Sequence, residues 1–196
     1  MKKIILLAAI AVLASCGSQK TTSSNDAASV QKTQPETPVQ PQTPEPPQLL
    51  NGHLYGIQTK EAFQQAPFAT WFQPRYEAYT LDEETKKALK KEMKGVKIRA
   101  YMGTWCGDSK RETPKFYKLL DEIGFKEKNL TLITVDRSKK KPVELVSSYD
   151  VIRVPTFIFY RKGKEIGRYV ERPRESLEKD VLKIVTGEPY KHAYDH

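Results

Sequence analysis

A chain of 196 residues of which 38% are hydrophobic has room for one ordinary domain plus extra segments, which excludes two large domains. The formal charge is +9, or +7 once Lys2 and Lys3 of an expected leader are removed; the lysines spread along helical segments and form no nucleic-acid motif, so no nucleic-acid partner is expected. Two cysteines, Cys16 and Cys106, exclude a disulfide framework and a cysteine-rich metal site.

Lys2 and Lys3 precede the apolar run Ile4 to Ala14, which breaks at Ser15-Cys16-Gly17. This is the shape of an export signal. The run is shorter than the roughly 20 apolar residues that a bilayer-spanning helix needs. Leu13-Ala14-Ser15-Cys16 resembles the lipobox of bacterial lipoproteins, in which the cysteine is lipidated and becomes the first residue; an ordinary cleaved signal is the alternative. The resemblance implies a signal over residues 1–16, lipidation at Cys16 and a chain anchored by lipid in the bacterial cell envelope, facing the periplasm. Cys106 is then the free thiol of the mature chain.

Residues 17–50 are rich in Ser, Thr, Gln and Pro, with almost nothing to bury, and read as a disordered tether. A coil of that length reaches roughly 30 Å, and a polyproline-like one up to roughly 100 Å. From Asn51 the composition changes, with aromatics at Tyr55, Phe63, Phe68, Trp71, Phe72, Tyr76 and Tyr79. Residues 51–95 are expected to form an N-terminal extension whose aromatics cover a sheet edge or complete the core. Thr80 and Glu83 read as a capping box for a helix carrying Leu81, Ala88, Leu89 and Met93, stopped by Gly95.

Val96 to Met102 alternates as a strand, and a helix after Cys106 places Phe116, Leu119, Leu120 and Ile123 on one face, kinked at Pro114. Leu130 to Val135 reads as a buried strand, and Pro142 starts a helix to about Tyr149. Thr156 to Tyr160 and Ile166 to Val170 form a hairpin through Lys162-Gly163. A last helix begins near Pro173, turns Leu177, Val181, Ile184 and Val185 inward and ends at Gly187, before a flexible tail over 188–196. Strand, helix, strand, helix, hairpin, helix is an α/β domain with a mixed sheet.

Trp105-Cys106-Gly107-Asp108-Ser109-Lys110 resembles the Trp-Cys-Gly-Pro-Cys-Lys motif of the thioredoxin family, and Pro114 matches that family's kinking proline. Tyr149-Asp150-Val151-Ile152-Arg153-Val154-Pro155-Thr156 resembles its cis-proline segment. The resemblance covers about residues 96–187 and implies a thioredoxin-like mixed β-sheet flanked by helices. It implies a catalytic group of Trp105, Cys106, Ser109 and Pro155 in a substrate groove lined by Gly107, Asp108, Lys110, Val154 and Thr156. Cys106 would sit at a helix start, where unpaired N–H groups and the helix dipole stabilise a thiolate.

Three departures from the family stand out. The second cysteine is Ser109, whose hydroxyl cannot take over a sulfur–sulfur bond, so the resemblance implies single-cysteine exchange, isomerisation or sulfenic acid reduction. Ser109 either donates a hydrogen bond to the Cys106 thiolate or is a solvated helix serine. The family's buried acid falls on Ala100, and Glu171-Arg172-Pro173 stands where a groove glycine is common. The expected partners are protein thiols or mixed disulfides and an external thiol reductant, with no cofactor. The alternative function is a tethered thioredoxin-fold binding module without catalysis. A monothiol glutaredoxin pattern, Cys-Gly-Asp-Ser, is the weaker third reading. His53, His192 and His196 lack clustered carboxylates or thiols, so no metal site is expected.

Overall fold

The computed structural model describes residues 48–195. The export signal, Cys16, the tether up to residue 47 and His196 lie outside the described residues. Six strands form one sheet in the order β1-β2-β4-β3-β5-β6. They are β1 (Gln48–Leu50), β2 (His53–Gln58), β3 (Val96–Met102), β4 (Leu130–Thr134), β5 (Thr156–Arg161) and β6 (Lys164–Val170). Only β3 and β4 run parallel; the other pairs are antiparallel. The helices are α1 (Lys60–Phe63), α2 (Ala69–Ala78), α3 (Glu83–Glu92), α4 (Gly107–Glu122), α5 (Val143–Val146) and α6 (Leu177–Thr186).

The period of two along a strand sorts side chains to opposite faces. Ile98, Ala100, Met102, Leu132, Phe157 and Phe159 enter the larger core, with Phe63, Phe72, Leu89, Phe116, Leu119 and Val181 from the helices. Tyr101, Ile133 and Ile158 face the other way and meet Val146, Val151 and Val154 in a smaller cluster. The mixed, helix-flanked sheet is thus the expected one. α2 packs on α4, and α3 packs on α6.

The extension supplies both a strand and core aromatics. β2 covers β4, with Ile57 opposite Ile133. Phe63 and Phe72 are fully buried and stack on each other at 5.6 Å between ring centroids.

Several expected boundaries move, each for a physical reason. Gln48–Leu50, expected at the end of the tether, pairs with β2, so the described fold begins three residues before Asn51. The cap of α3 is Asp82, which accepts the Thr85 N–H at 2.8 Å and its hydroxyl at 2.6 Å, so Thr80 and Glu83 make no capping box. α5 ends at Val146, short of Tyr149, whose ring instead lies under the Arg99 guanidinium at 4.2 Å. α6 begins at Leu177 with Ser176 as its cap, not at Pro173. The reason is Asp180, whose carboxylate reaches back to accept the N–H groups of Arg174 (2.6 Å) and Glu175 (3.2 Å) and holds 173–175 out of the helix. Expected as flexible, the tail is pinned: Tyr190 donates to Asp180 at 3.2 Å, and the Tyr194 hydroxyl bonds Glu171.

Asp180 is wholly buried, so Asp180→Ala strands two backbone donors and the Tyr190 hydroxyl. Each unsatisfied buried donor costs about 1–3 kcal/mol, and a net loss of about 2 kcal/mol is expected in urea unfolding. An unchanged midpoint would show that water replaces the carboxylate.

Candidate active site

β3 delivers the chain into Gly103-Thr104-Trp105, and Cys106 caps the start of α4 with extended dihedrals, φ −93° and ψ 127°. Gly103 is required by packing: a Cβ there would lie 2.6 Å from Nε1 of Trp105. That Nε1 donates to the Val135 carbonyl at 2.8 Å, which fixes the ring beside β4. The Cys106 N–H closes the turn onto the Gly103 carbonyl at 2.9 Å.

Cys106 is half-buried, and its Sγ donates to the Val154 carbonyl at 3.3 Å. The sequence separates these groups by 48 residues; the β3–β5 pairing, with Tyr101 opposite Thr156, brings them together. Val154–Pro155 is a cis peptide, as the resemblance implies. The Pro155 carbonyl accepts the Glu171 N–H at 2.7 Å, and Thr156 Oγ1 donates to the Arg153 carbonyl at 2.7 Å. Trp105, Cys106 and Val154 therefore lie together with Pro155 next in the chain, whereas Thr156 turns inward and ties the loop.

Ser109 is not a solvated helix serine: it is fully buried and its Oγ accepts the Gly103 N–H at 3.2 Å. Among the described residues that is the hydrogen bond its side chain makes, so none is seen to Cys106. Gly107 is exposed at the first turn of α4. Asp108 pairs with Arg111 at 2.6 Å, and the Lys110 ammonium lies 5.9 Å from the ring centroid of Trp71. Ala100 is fully buried among apolar side chains. Farther along α4, the buried Glu112 is answered by Arg111 (2.7 Å), Lys115 (3.3 Å) and the Tyr169 hydroxyl (3.3 Å).

Several residues that meet the segments flanking Cys106 and Pro155 carry no local sequence signal. His53, on β2, sits with Nδ1 3.3 Å from Thr104 Oγ1, which also accepts the Leu54 N–H at 3.2 Å. Burial, then the nearby charges of Arg137 and Lys110, hold this imidazole below its ordinary pKa. The Arg137 guanidinium lies 5.4 Å from the Trp105 ring centroid. Beyond Pro155, Arg153 pairs with Glu171 at 3.3 Å and lies 3.9 Å from the Tyr194 ring, with Arg172 at 5.7 Å from the same ring. Among the described residues no three His, Cys, Asp or Glu side chains are grouped to hold a metal ion.

A likeness to known proteins follows this geometry. Thioredoxin-like protein R548 of Acanthamoeba polyphaga mimivirus is 29% identical over 96 residues, 49% of this chain and 67% of that protein. Thioredoxin of Gallus gallus is 31% identical over 85 residues, 43% of this chain and 75% of that protein. A solved structure of a protein of unknown function from Pseudomonas aeruginosa shares the fold, with a TM-score of 0.50 at 18% identity over 67% of this chain and 93% of that one. The thioredoxin family model matches residues 78–183, which is more than half of the chain and spans both Cys106 and Pro155, so the chain belongs to the thioredoxin family.

Proposed function

We propose that the chain is an envelope-anchored thiol-disulfide oxidoreductase acting through the one sulfur of Cys106. The observation that carries this reading is the placement of that sulfur: half-buried at the head of α4, 3.3 Å from the Val154 carbonyl, with the Pro155 backbone beside it. Attack on a client disulfide joins Sγ to one client sulfur and releases the other as a thiolate. The Ser109 hydroxyl is buried and cannot resolve that bond, and at Ala100 no carboxylate stands ready to move a proton. Release therefore falls to an external thiol, a step compatible with isomerisation of client disulfides. Reduction of a client sulfenic acid by Cys106 gives the same mixed disulfide and water. The catalytic group is Trp105, Cys106 and Pro155, with Gly107, Asp108, Lys110 and Val154 lining the groove and Ser109 bracing the Gly103 turn from beneath.

In the same reading, residues 1–16 are a lipoprotein signal, Cys16 carries the lipid, and the stretch up to residue 47 spaces the domain from a membrane facing the periplasm. Small residues before Cys16 and the proline-rich run after it support this arrangement.

Non-reducing gels of the full chain in bacterial cells test the chemistry. Adducts that disappear with reductant and with Cys106→Ser are expected. Adducts that survive that substitution, or their complete absence, overturn the reading in favour of a binding module. In the same cells Cys16→Ser is expected to shift the chain from the membrane to the soluble envelope fraction; unchanged partition overturns the anchor.

A further inference from the structure

Three cations drawn from three parts of the fold flank the segments that carry Cys106 and Pro155, each lying over an aromatic ring. Lys110 lies one turn along α4 from Cys106, its N–H bonded to the Cys106 carbonyl at 3.0 Å, with its ammonium over Trp71. Arg137 follows β4 and lies over Trp105. Arg172 follows Glu171, whose N–H holds the Pro155 carbonyl, and lies over Tyr194. Among the described residues none of the three forms an ion pair.

The carboxylates nearby are already engaged. Asp108 is held by Arg111, and Glu171 by Arg153 and the Tyr194 hydroxyl. Asp136 turns into its own loop, accepting the N–H groups of Lys140 and Lys141 and the Ser138 hydroxyl. An aromatic face orients a cation and leaves its charge intact. The segments around Cys106 thus present three oriented cations that form no ion pair with a carboxylate among the described residues.

We infer that Cys106 selects a client whose reacting sulfur is flanked by acidic residues, an acidic peptide segment laid across Trp105 and Pro155. This rests on the reading of Cys106 as the reactive sulfur. In the selected step Sγ gains a bond to the client sulfur and is oxidised to the disulfide level. The Sγ proton passes to water, and the partner sulfur leaves with the electron pair of the broken bond and takes up a proton from water. Charges at a rim act mainly on the rate of encounter and weaken as salt shortens their reach from about 10 Å at 0.1 M.

The test uses the full mature chain in detergent and two synthetic peptides, each with one cysteine capped by 2-thiopyridine and differing only in flanking Asp or Lys. Release of thiopyridone reports attack by Cys106. The Asp peptide is expected to react at least about tenfold faster at ~20 mM ionic strength, with the ratio falling toward one at about 0.5 M salt. In the triple variant Lys110→Gln/Arg137→Gln/Arg172→Gln, folded by near-UV circular dichroism, most of that ratio is expected to disappear. Equal rates for the two peptides, or a ratio that the triple variant keeps, overturn the selectivity while leaving the single-sulfur chemistry in place. No release from the folded chain, with release after unfolding in urea, overturns both.

Discussion

Ser109→Cys is expected to create a cycling disulfide reductase, raising dithiothreitol-driven reduction of insulin by about a hundredfold over the natural chain. Ser109 lies three residues beyond Cys106, in the first turn of α4, wholly buried beneath the Gly103 N–H. A thiol there meets the Cys106 mixed disulfide from the protein side, displaces the client and leaves an intramolecular disulfide between Cys106 and the introduced sulfur, which dithiothreitol reduces again. Mass spectrometry of the oxidised variant should show the loss of two hydrogens. Insulin reduction by the natural chain at the rate of the variant would refute single-sulfur chemistry. A variant that forms the disulfide but does not turn over would move the explanation to Ala100, where no carboxylate takes the proton.

Phe72→Ala is expected to lower stability by about 3–5 kcal/mol. Its ring is fully buried, stacked on Phe63 at 5.6 Å and on Tyr76 at 5.9 Å, and edge-on to Tyr117 of α4 at 5.8 Å. Phe72 precedes residues 78–183, where the family match lies, so the substitution measures how far the extension belongs to the core. Urea unfolding followed by the fluorescence of Trp71 and Trp105 reports the change. A loss under about 1 kcal/mol would make the extension an ornament on an independently stable domain. Phe72→Leu, which keeps most of the apolar volume, should lose less.

The parts of the fold legible in sequence are those written in local periodicity. Val96–Met102 alternates between the two cores, and Phe116, Leu119 and Leu120 recur on the buried face of α4. Cys106 and Pro155 were legible as a pair because their surroundings match a family pattern at both positions. Competition from side chains outside the periodic pattern, near or far in sequence, set what was not legible. Asp180 captures two N–H groups that Pro173 would have placed in a helix, and the Tyr149 ring is drawn to Arg99 instead of extending α5. His53 reaches Thr104 across 51 residues only because β2 pairs beside β4, and the burial of Ser109 follows from the approach of α4 to the Gly103 turn. No apolar periodicity encodes such contacts.

The hairpin at the start of the described fold has a mechanical consequence. β1 folds back on β2 through Asn51-Gly52, with Gln48 opposite Tyr55 at the open end and Leu50 opposite His53 at the closed end. Tension applied to the chain at Gln48 opens this ladder as a zipper, from Tyr55 toward His53. Its backbone bonds, each with a net value of about 0.5–1.5 kcal/mol, are loaded in succession rather than together. The load then arrives at His53, the strand residue that touches Thr104 two positions before Cys106. A pull at Gln48 is thus delivered to the neighbourhood of Cys106 before it reaches the buried strands.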